Sequence, residues 1–94
     1  MKRTTFYIYS DPGHSWVKVP KLLLEVYLGA HWRKHFTCFS YERGQHVYLE
    51  EDQDALTFDR RIRDAGIAPV YKAGSTAATR PSRIRNYAPL APMP

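Results

Sequence analysis

The sequence predicts a small two-layer α+β domain, in which a mainly antiparallel sheet of four to five strands carries two helices on one face. Short β-branched and aromatic runs, each bounded by turn residues, predict the strands. Two segments with helical spacing of apolar residues lie between them, which gives the order β-β-α-β-β-α-β. The length of 94 residues fits one domain with a small core.

Two predicted strands begin the chain. Residues 4–9, TTFYIY, are β-branched and aromatic, and residues 15–20, SWVKVP, alternate in polarity. Because side chains alternate along a strand, we expect Trp16 and Lys18 to point to one side of the sheet and the valines of the same strand to the other.

The turn between these strands reads Asp11-Pro12-Gly13-His14. Pro12 fixes φ at the second position and Gly13 tolerates a positive φ at the third, which is the pattern of a type II turn. An aspartate at the first position usually accepts hydrogen bonds from the turn backbone, so Asp11 is predicted to cap this turn.

The two helices are predicted from spacing and from their ends. Residues 21–29 follow Pro20, which suits a first helical turn, and Gly29 is a candidate C-cap. The next residues, AHWRKH, either extend this helix or start another. In residues 50–66, acidic residues favour a helix N-terminus, and apolar residues then recur at spacings of three, four and three.

The remaining strands are predicted from alternation. Residues 36–51 predict a hairpin that turns at Gly44, in which Cys38 would be a small buried hydrophobe. Residues 67–74 predict a last strand at the edge of the sheet, because Pro69 cannot donate a ladder hydrogen bond.

Charge divides the chain into two parts. Residues 1–74, the predicted domain, carry 11 basic and 9 acidic side chains, a net of +2, whereas residues 75–94 carry three arginines and no acid, a net of +3. The second part also holds four of the seven prolines, so we predict a basic, Pro-rich tail that is mobile or ordered by a partner. The single cysteine, the lack of a long apolar stretch and a first apolar run too short for a signal peptide favour a cytoplasmic protein without a membrane span.

His14 is the first candidate for chemistry. A catalytic histidine needs a cleft and usually a second group that orients it, but Asp11 is better explained as the cap of the turn. No nucleophile motif accompanies His14. We therefore predict a binding or structural role for a partly exposed His14 beside a packed Trp16, and an enzyme using His14 is the third hypothesis.

Metal binding has two candidate sites. His31 and His35 would share one face of a helix, with Cys38 and His46 as further zinc ligands, but no motif of regular spacing frames them. The acidic residues at 50–54 could bind magnesium, although capping of the following helix explains them better. We predict no metal and no cofactor.

The tail carries the strongest binding signal. Arg80, Arg83 and Arg85 surround Ile84 and Tyr87 in the segment RPSRIRNY. Arginine binds phosphate through paired hydrogen bonds and tyrosine stacks on bases, but the same residues also suit an acidic protein surface. Nine acids in residues 1–74 argue against a continuous positive face, so we expect only weak binding to free duplex DNA, with a Kd of about micromolar or higher.

Three segments together, SDPGHSW, SYERGQHVYLEED and SRIRNY, resemble a group of small proteins encoded by phages and prophage-bearing bacteria. The likeness covers most of residues 7–87, with Ser15 in place of a glycine and Gln53 in place of a cysteine of the pattern. It implies a phage accessory protein and no enzymatic activity. It also implies that SRIRNY folds back onto the sheet, with Ile84 and Tyr87 as anchors and the arginines outward.

These observations lead to a ranked expectation. The first hypothesis is a non-enzymatic phage or mobile-element protein that inhibits a host defence factor in the host cytoplasm, as an anti-CRISPR does, by docking on a host protein or nucleoprotein. The alternative is direct binding of nucleic acid. The predicted partner-binding residues are His14, Arg80, Arg83, Arg85 and Tyr87.

Overall fold

A computed structural model describes residues 2–76 and 79–90. The strands are β1 (Lys2–Ser10), β2 (Ser15–Pro20), β3 (Tyr41–Arg43), β4 (His46–Glu50), β5 (Ile67–Thr76) and β6 (Ala88–Pro89). The α-helices are α1 (Lys21–Leu28) and α2 (Asp54–Asp64), and two short 3-10 helices span Trp32–His35 and Arg83–Asn86. No helix in the described part of the chain is long and apolar enough to cross a membrane.

The predicted α+β class is confirmed. The strands of the described residues form one sheet in the order β5-β1-β2-β4-β3-β6, and among them only the β1–β5 pair is parallel. Side chains from both helices pack on one face of this sheet around Val19, Leu49 and Phe58, which are fully buried. The described strands number six rather than four to five, because β6 adds to β3.

The last long strand lies at the edge of the sheet, as predicted. β5 pairs with β1 alone, in parallel, with Pro69 opposite Thr4. An edge position leaves one side of the strand without a ladder, which is where a proline is tolerated.

The helix ends follow the predicted signals closely. Pro20 ends β2 and immediately precedes α1, and Gly29 ends that helix with a φ of 91°. This left-handed φ favours glycine, since other residues adopt it only at a steric cost. The segment after Gly29 starts a separate 3-10 helix at Trp32 instead of extending α1.

The predicted hairpin is shorter than its alternation indicated. Pairing begins at Tyr41, and residues 37–40 form a turn instead of a strand. The buried carboxylate of Asp54 organises this turn, because it accepts hydrogen bonds from the backbone N–H and hydroxyl of Thr37 and from the hydroxyl of Ser40. Cys38 therefore lies exposed on the turn, and its predicted burial is wrong.

The second face of the sheet is covered by part of the predicted tail. Trp16 and Tyr48 form a small buried cluster there with Ile84, and Tyr87 packs against it. We call residues 79–90 the C-terminal segment. This segment includes the second 3-10 helix and β6, so over these residues the prediction of a mobile tail from composition is wrong. The expectation from the resemblance, that SRIRNY folds back onto the sheet with Ile84 and Tyr87 as anchors, agrees with the observed packing. The predicted boundary after residue 74 falls inside β5.

Candidate functional site

The turn between β1 and β2 is capped as predicted. The Asp11 carboxylate accepts hydrogen bonds from the backbone N–H of Gly13 at 2.9 Å and of His14 at 3.0 Å. The turn is not of type II, however, since Gly13 has no positive φ. Glycine is favoured here by a close approach instead, because a Cβ at position 13 would lie 2.8 Å from the Arg85 guanidinium.

Arg85 joins the C-terminal segment to this turn. Its Nε donates to one oxygen of Asp11 at 2.6 Å and its Nη2 to the other at 2.9 Å, while the backbone N–H of Ser82 donates at 2.8 Å. The Asp11 side chain is only 1% exposed. The hydrogen bond from Arg85 holds the pKa of Asp11 well below its usual range, and the same bond raises the pKa of Arg85.

This geometry changes the interpretation of Arg85. The expected outward orientation is wrong for this residue, whose guanidinium is directed inward to Asp11 and lies 5.3 Å from the ring centroid of Trp16. A buried carboxylate needs a compensating cation, and Arg85 supplies it. Arg85 is therefore a structural residue of the second sheet face.

His14 and Trp16 lie as expected. Trp16 is 2% exposed, whereas the His14 side chain is 51% exposed and its Nδ1 lies 3.4 Å from a carboxylate oxygen of Glu51. His14 also borders a depression of about 440 Å³ together with Arg85 and the exposed Phe39. An exposed imidazole with one long polar contact lacks the enclosed, oriented setting of a general base.

The first candidate metal site is not assembled. His31 precedes the first 3-10 helix and His35 ends it, so the α-helical spacing that would align them is missing. In the part of the chain that the structure describes, no three histidine, cysteine or acidic side chains converge as a metal site would require.

One of the acidic residues at positions 50–54, Glu50, caps α2 with its side chain. Glu50 accepts hydrogen bonds from the backbone N–H groups of Asp52, Gln53 and Asp54 at 2.6–2.9 Å. These N–H groups have no partner within the helix, which explains why a carboxylate is favourable at this point. The predicted capping role is therefore confirmed.

Removal of metal ions should leave the stability unchanged. We expect the same Tm in excess EDTA and in buffer with added zinc, because the candidate ligands are held apart or used as caps. Differential scanning calorimetry measures this directly. A Tm that falls in EDTA and recovers with zinc would restore the histidine pair as a metal site.

A basic groove runs along the C-terminal segment. One depression, of about 750 Å³, is lined by Lys18, Arg80 and Arg83 together with tyrosine and serine side chains. A second, of about 610 Å³, adjoins it at Arg83 and Tyr87 and extends to Arg43. We call the two depressions together the basic groove, and its four cations are Lys18, Arg43, Arg80 and Arg83.

Eight of the nine acidic residues lie away from this groove. All nine fall within residues 11–64, and Glu42, the only acid that lines the groove, is paired with Lys21 and Arg33 at 2.8 Å. Asp11 is covered by Arg85. The remaining acids lie on the helices or at the start of α2: Glu25, Glu50, Glu51, Asp52, Asp54, Asp59 and Asp64.

The groove cations also contribute to the pKa shifts of two neighbouring side chains, His46 and Tyr48. Burial lowers the pKa of His46, and the positive charge of Lys18 lowers it further. Burial raises the pKa of Tyr48, with Tyr87 acting in the same direction and Arg43 against it. Both effects place the groove cations within electrostatic range of the tyrosine-rich sheet surface.

The predicted partner-binding residues are thus divided. Arg80, Arg83 and Tyr87 meet in the basic groove, whereas His14 and Arg85 border the other depression. The sequence interpretation missed Lys18 and Arg43 as members of the groove. For Lys18 the signal was present, since its alternation with the valines of β2 placed it on the face of Trp16.

No protein-family model, curated protein or solved structure is significantly similar to this chain.

Proposed function

We propose that this chain is a small phage or mobile-element accessory protein that acts by binding and inhibits a host defence factor. The partner is a host protein or nucleoprotein, and a CRISPR effector, the target of an anti-CRISPR, is one such complex. The resemblance of three segments to small phage proteins supports the source, and the basic groove supports the mode of action.

One observation carries the binding role. Four cations surround an open groove whose only acid is already paired, and Arg80 and Arg83 are exposed. Charged side chains that make no internal pair keep their charge available for a negatively charged partner. Defence nucleoproteins present such charge on their nucleic acid and on acidic protein surfaces.

The side chains that catalysis would use also support binding over chemistry. His14 is exposed with one long contact to Glu51, and Cys38 lies on an exposed turn. Catalytic groups usually lie in a cleft beside a partner that orients them. The proposal therefore assigns no residue a catalytic role.

The test is a capture experiment with a matched pair of variants. We expect the tagged chain to retain a defence nucleoprotein from host lysate and to inhibit that complex after its purification. Arg80→Ala/Arg83→Ala should lose both effects, because these arginines face the groove. Arg60→Ala/Arg61→Ala, on the exposed side of α2, removes the same charge and should keep them.

Two results would overturn the proposal. One is equal capture by the groove variant and by the wild type, which would remove the groove from the interaction. The other is capture without any effect on the activity of the purified complex, which would remove the inhibitory role.

A further inference from the structure

We infer that the basic groove holds a single strand of nucleic acid, with its phosphates on the four cations and its bases against the neighbouring tyrosines. This rests on the proposed function and names the part of the nucleoprotein that is contacted. Three features carry it: the charge of the groove, the tyrosines beside its cations, and its concave shape.

The charge is the first feature. Lys18 and Arg80 lie in one depression, Arg43 lies in the other, and Arg83 lies in both. The undescribed residues add no acid, since residues 65–94 contain none. The acids that argued against a continuous positive face leave this groove largely free, because eight of the nine lie on the helical layer or at the sheet end near His14, and the ninth, Glu42, is paired with Lys21 and Arg33.

The tyrosines are the second feature. Tyr7 is 47% exposed and lies opposite both Lys18 on β2 and Lys72 on β5, so an aromatic ring stands between two cations in one cross-strand row. Tyr87 is partly exposed, and the Arg43 guanidinium lies 5.0 Å from its ring centroid. Proteins that bind single strands use this combination, in which cations follow the backbone and rings stack on the bases.

The shape of the groove is the third feature, and it favours a single strand of nucleic acid over duplex DNA. The groove is a concave surface between the C-terminal segment and the strands, whereas duplex DNA is read by an element that enters one of its grooves. An acidic protein partner would gain little apolar contact here, because Ile84 of the segment and Tyr48 of β4 are already buried against each other. Protein hot spots depend on such desolvated apolar anchors, so the groove fits a phosphate backbone better.

The experiment measures binding of the full chain to labelled 12-nucleotide RNA, to DNA of the same sequence and to the matching duplex, by fluorescence anisotropy from 50 to 300 mM salt. We expect the single strands to bind more tightly than the duplex. Four phosphate contacts predict a slope of about −3 for log affinity against log salt. RNA and single-stranded DNA offer the same phosphates, so a difference between them would report contacts with the 2′-hydroxyl.

A charge-reversal pair locates the site. Lys18→Glu/Arg83→Glu should weaken single-strand binding by at least about tenfold and reduce the salt slope by about half, since two of the four contacts are removed. Arg60→Glu/Arg61→Glu changes the net charge equally on the helical layer and should have a much smaller effect. If the charge-reversal variant loses its circular dichroism spectrum, Lys18→Ala/Arg83→Ala provides the same comparison.

The outcomes separate this inference from the proposed function. Equal loss in both charge-reversal variants would mean attraction to net charge alone, and tighter binding of a poly-glutamate peptide than of RNA would identify an acidic protein surface as the occupant. Nuclease-resistant capture of an inhibited nucleoprotein, without binding of free strands, would overturn the inference and keep the proposed function. Binding of free single strands, without capture of a nucleoprotein from lysate, would overturn the proposed function and keep the inference.

Discussion

Replacing Trp16 by alanine should lower the free energy of unfolding by roughly 3–5 kcal/mol, the usual cost of deleting a fully buried large aromatic side chain. Trp16 is 2% exposed, and its ring centroid lies 6.2 Å from that of Tyr41 in an edge-to-face arrangement. It also lies against Ile84, so its loss would leave a cavity between the sheet and the C-terminal segment. A domain of this size has about 5–15 kcal/mol of stability in total, so this one change removes a large part of it.

Urea denaturation followed by far-ultraviolet circular dichroism measures the effect without relying on tryptophan fluorescence. Tyr7→Ala is the matched control, because Tyr7 lies on the same sheet face but is 47% exposed, and it should cost about 1 kcal/mol or less. The loss in free energy of unfolding for Trp16→Phe should lie between those of Trp16→Ala and Tyr7→Ala. A loss below about 1 kcal/mol for Trp16→Ala would show that the second face contributes little to stability.

The elements that could be predicted from the sequence are those specified by local signals. Alternation placed Trp16 and Lys18 on one face of β2, Pro69 placed β5 at an edge, and Gly29 ended α1. In each of these cases the residue that carries the signal lies within the element it specifies or directly at its end. Such signals need no knowledge of what packs against the element.

The features that were missed depend on contacts between distant residues. The alternation of residues 36–40 was overridden by Asp54, whose carboxylate draws Thr37 and Ser40 into a turn. Arg85 and Asp11 are separated by 74 positions, and nothing near Arg85 in the sequence indicates that it pairs with a buried carboxylate. Basic and proline-rich composition predicts a mobile tail unless such a partner is known.

The residues of the candidate site also divide into those indicated by local sequence signals and those that depend on distant contacts. Arg80, Arg83 and Tyr87 were identified from the composition of their own segment, and they do meet in the basic groove. Arg43 was missed because it reaches the groove only through the pairing of β3 with β6, which places the C-terminal segment beside it. Counting acids along the chain could not show that the fold would keep every acid except Glu42 out of the groove.

Replacing Arg85 by alanine should release the C-terminal segment and lower the Tm far more than Arg83→Ala, its matched control in the same 3-10 helix. Arg85 gives Asp11 two of its five hydrogen bonds and its only charge compensation among the described residues, whereas Arg83 is exposed. Hydrogen exchange should show loss of protection in residues 79–90 for Arg85→Ala alone. Equal Tm values for the two variants would contradict a structural role for Arg85.

Acid should act through the same contact. The folded pKa of Asp11 is lowered, chiefly by its hydrogen bond with Arg85, so the charged form is stabilised in the folded state. The stability it contributes is full well above the unfolded pKa of about 3.9 and is lost as the pH falls through that value toward the lower folded pKa. Between about pH 5 and pH 2, the wild type should therefore lose Tm more steeply than Asp11→Asn, which has no proton to gain at this position. Gly13→Ala, which crowds the Arg85 guanidinium, should lower the Tm by less than Arg85→Ala does. Parallel curves of Tm against pH for the wild type and Asp11→Asn would show that the Asp11–Arg85 pair does not hold the segment.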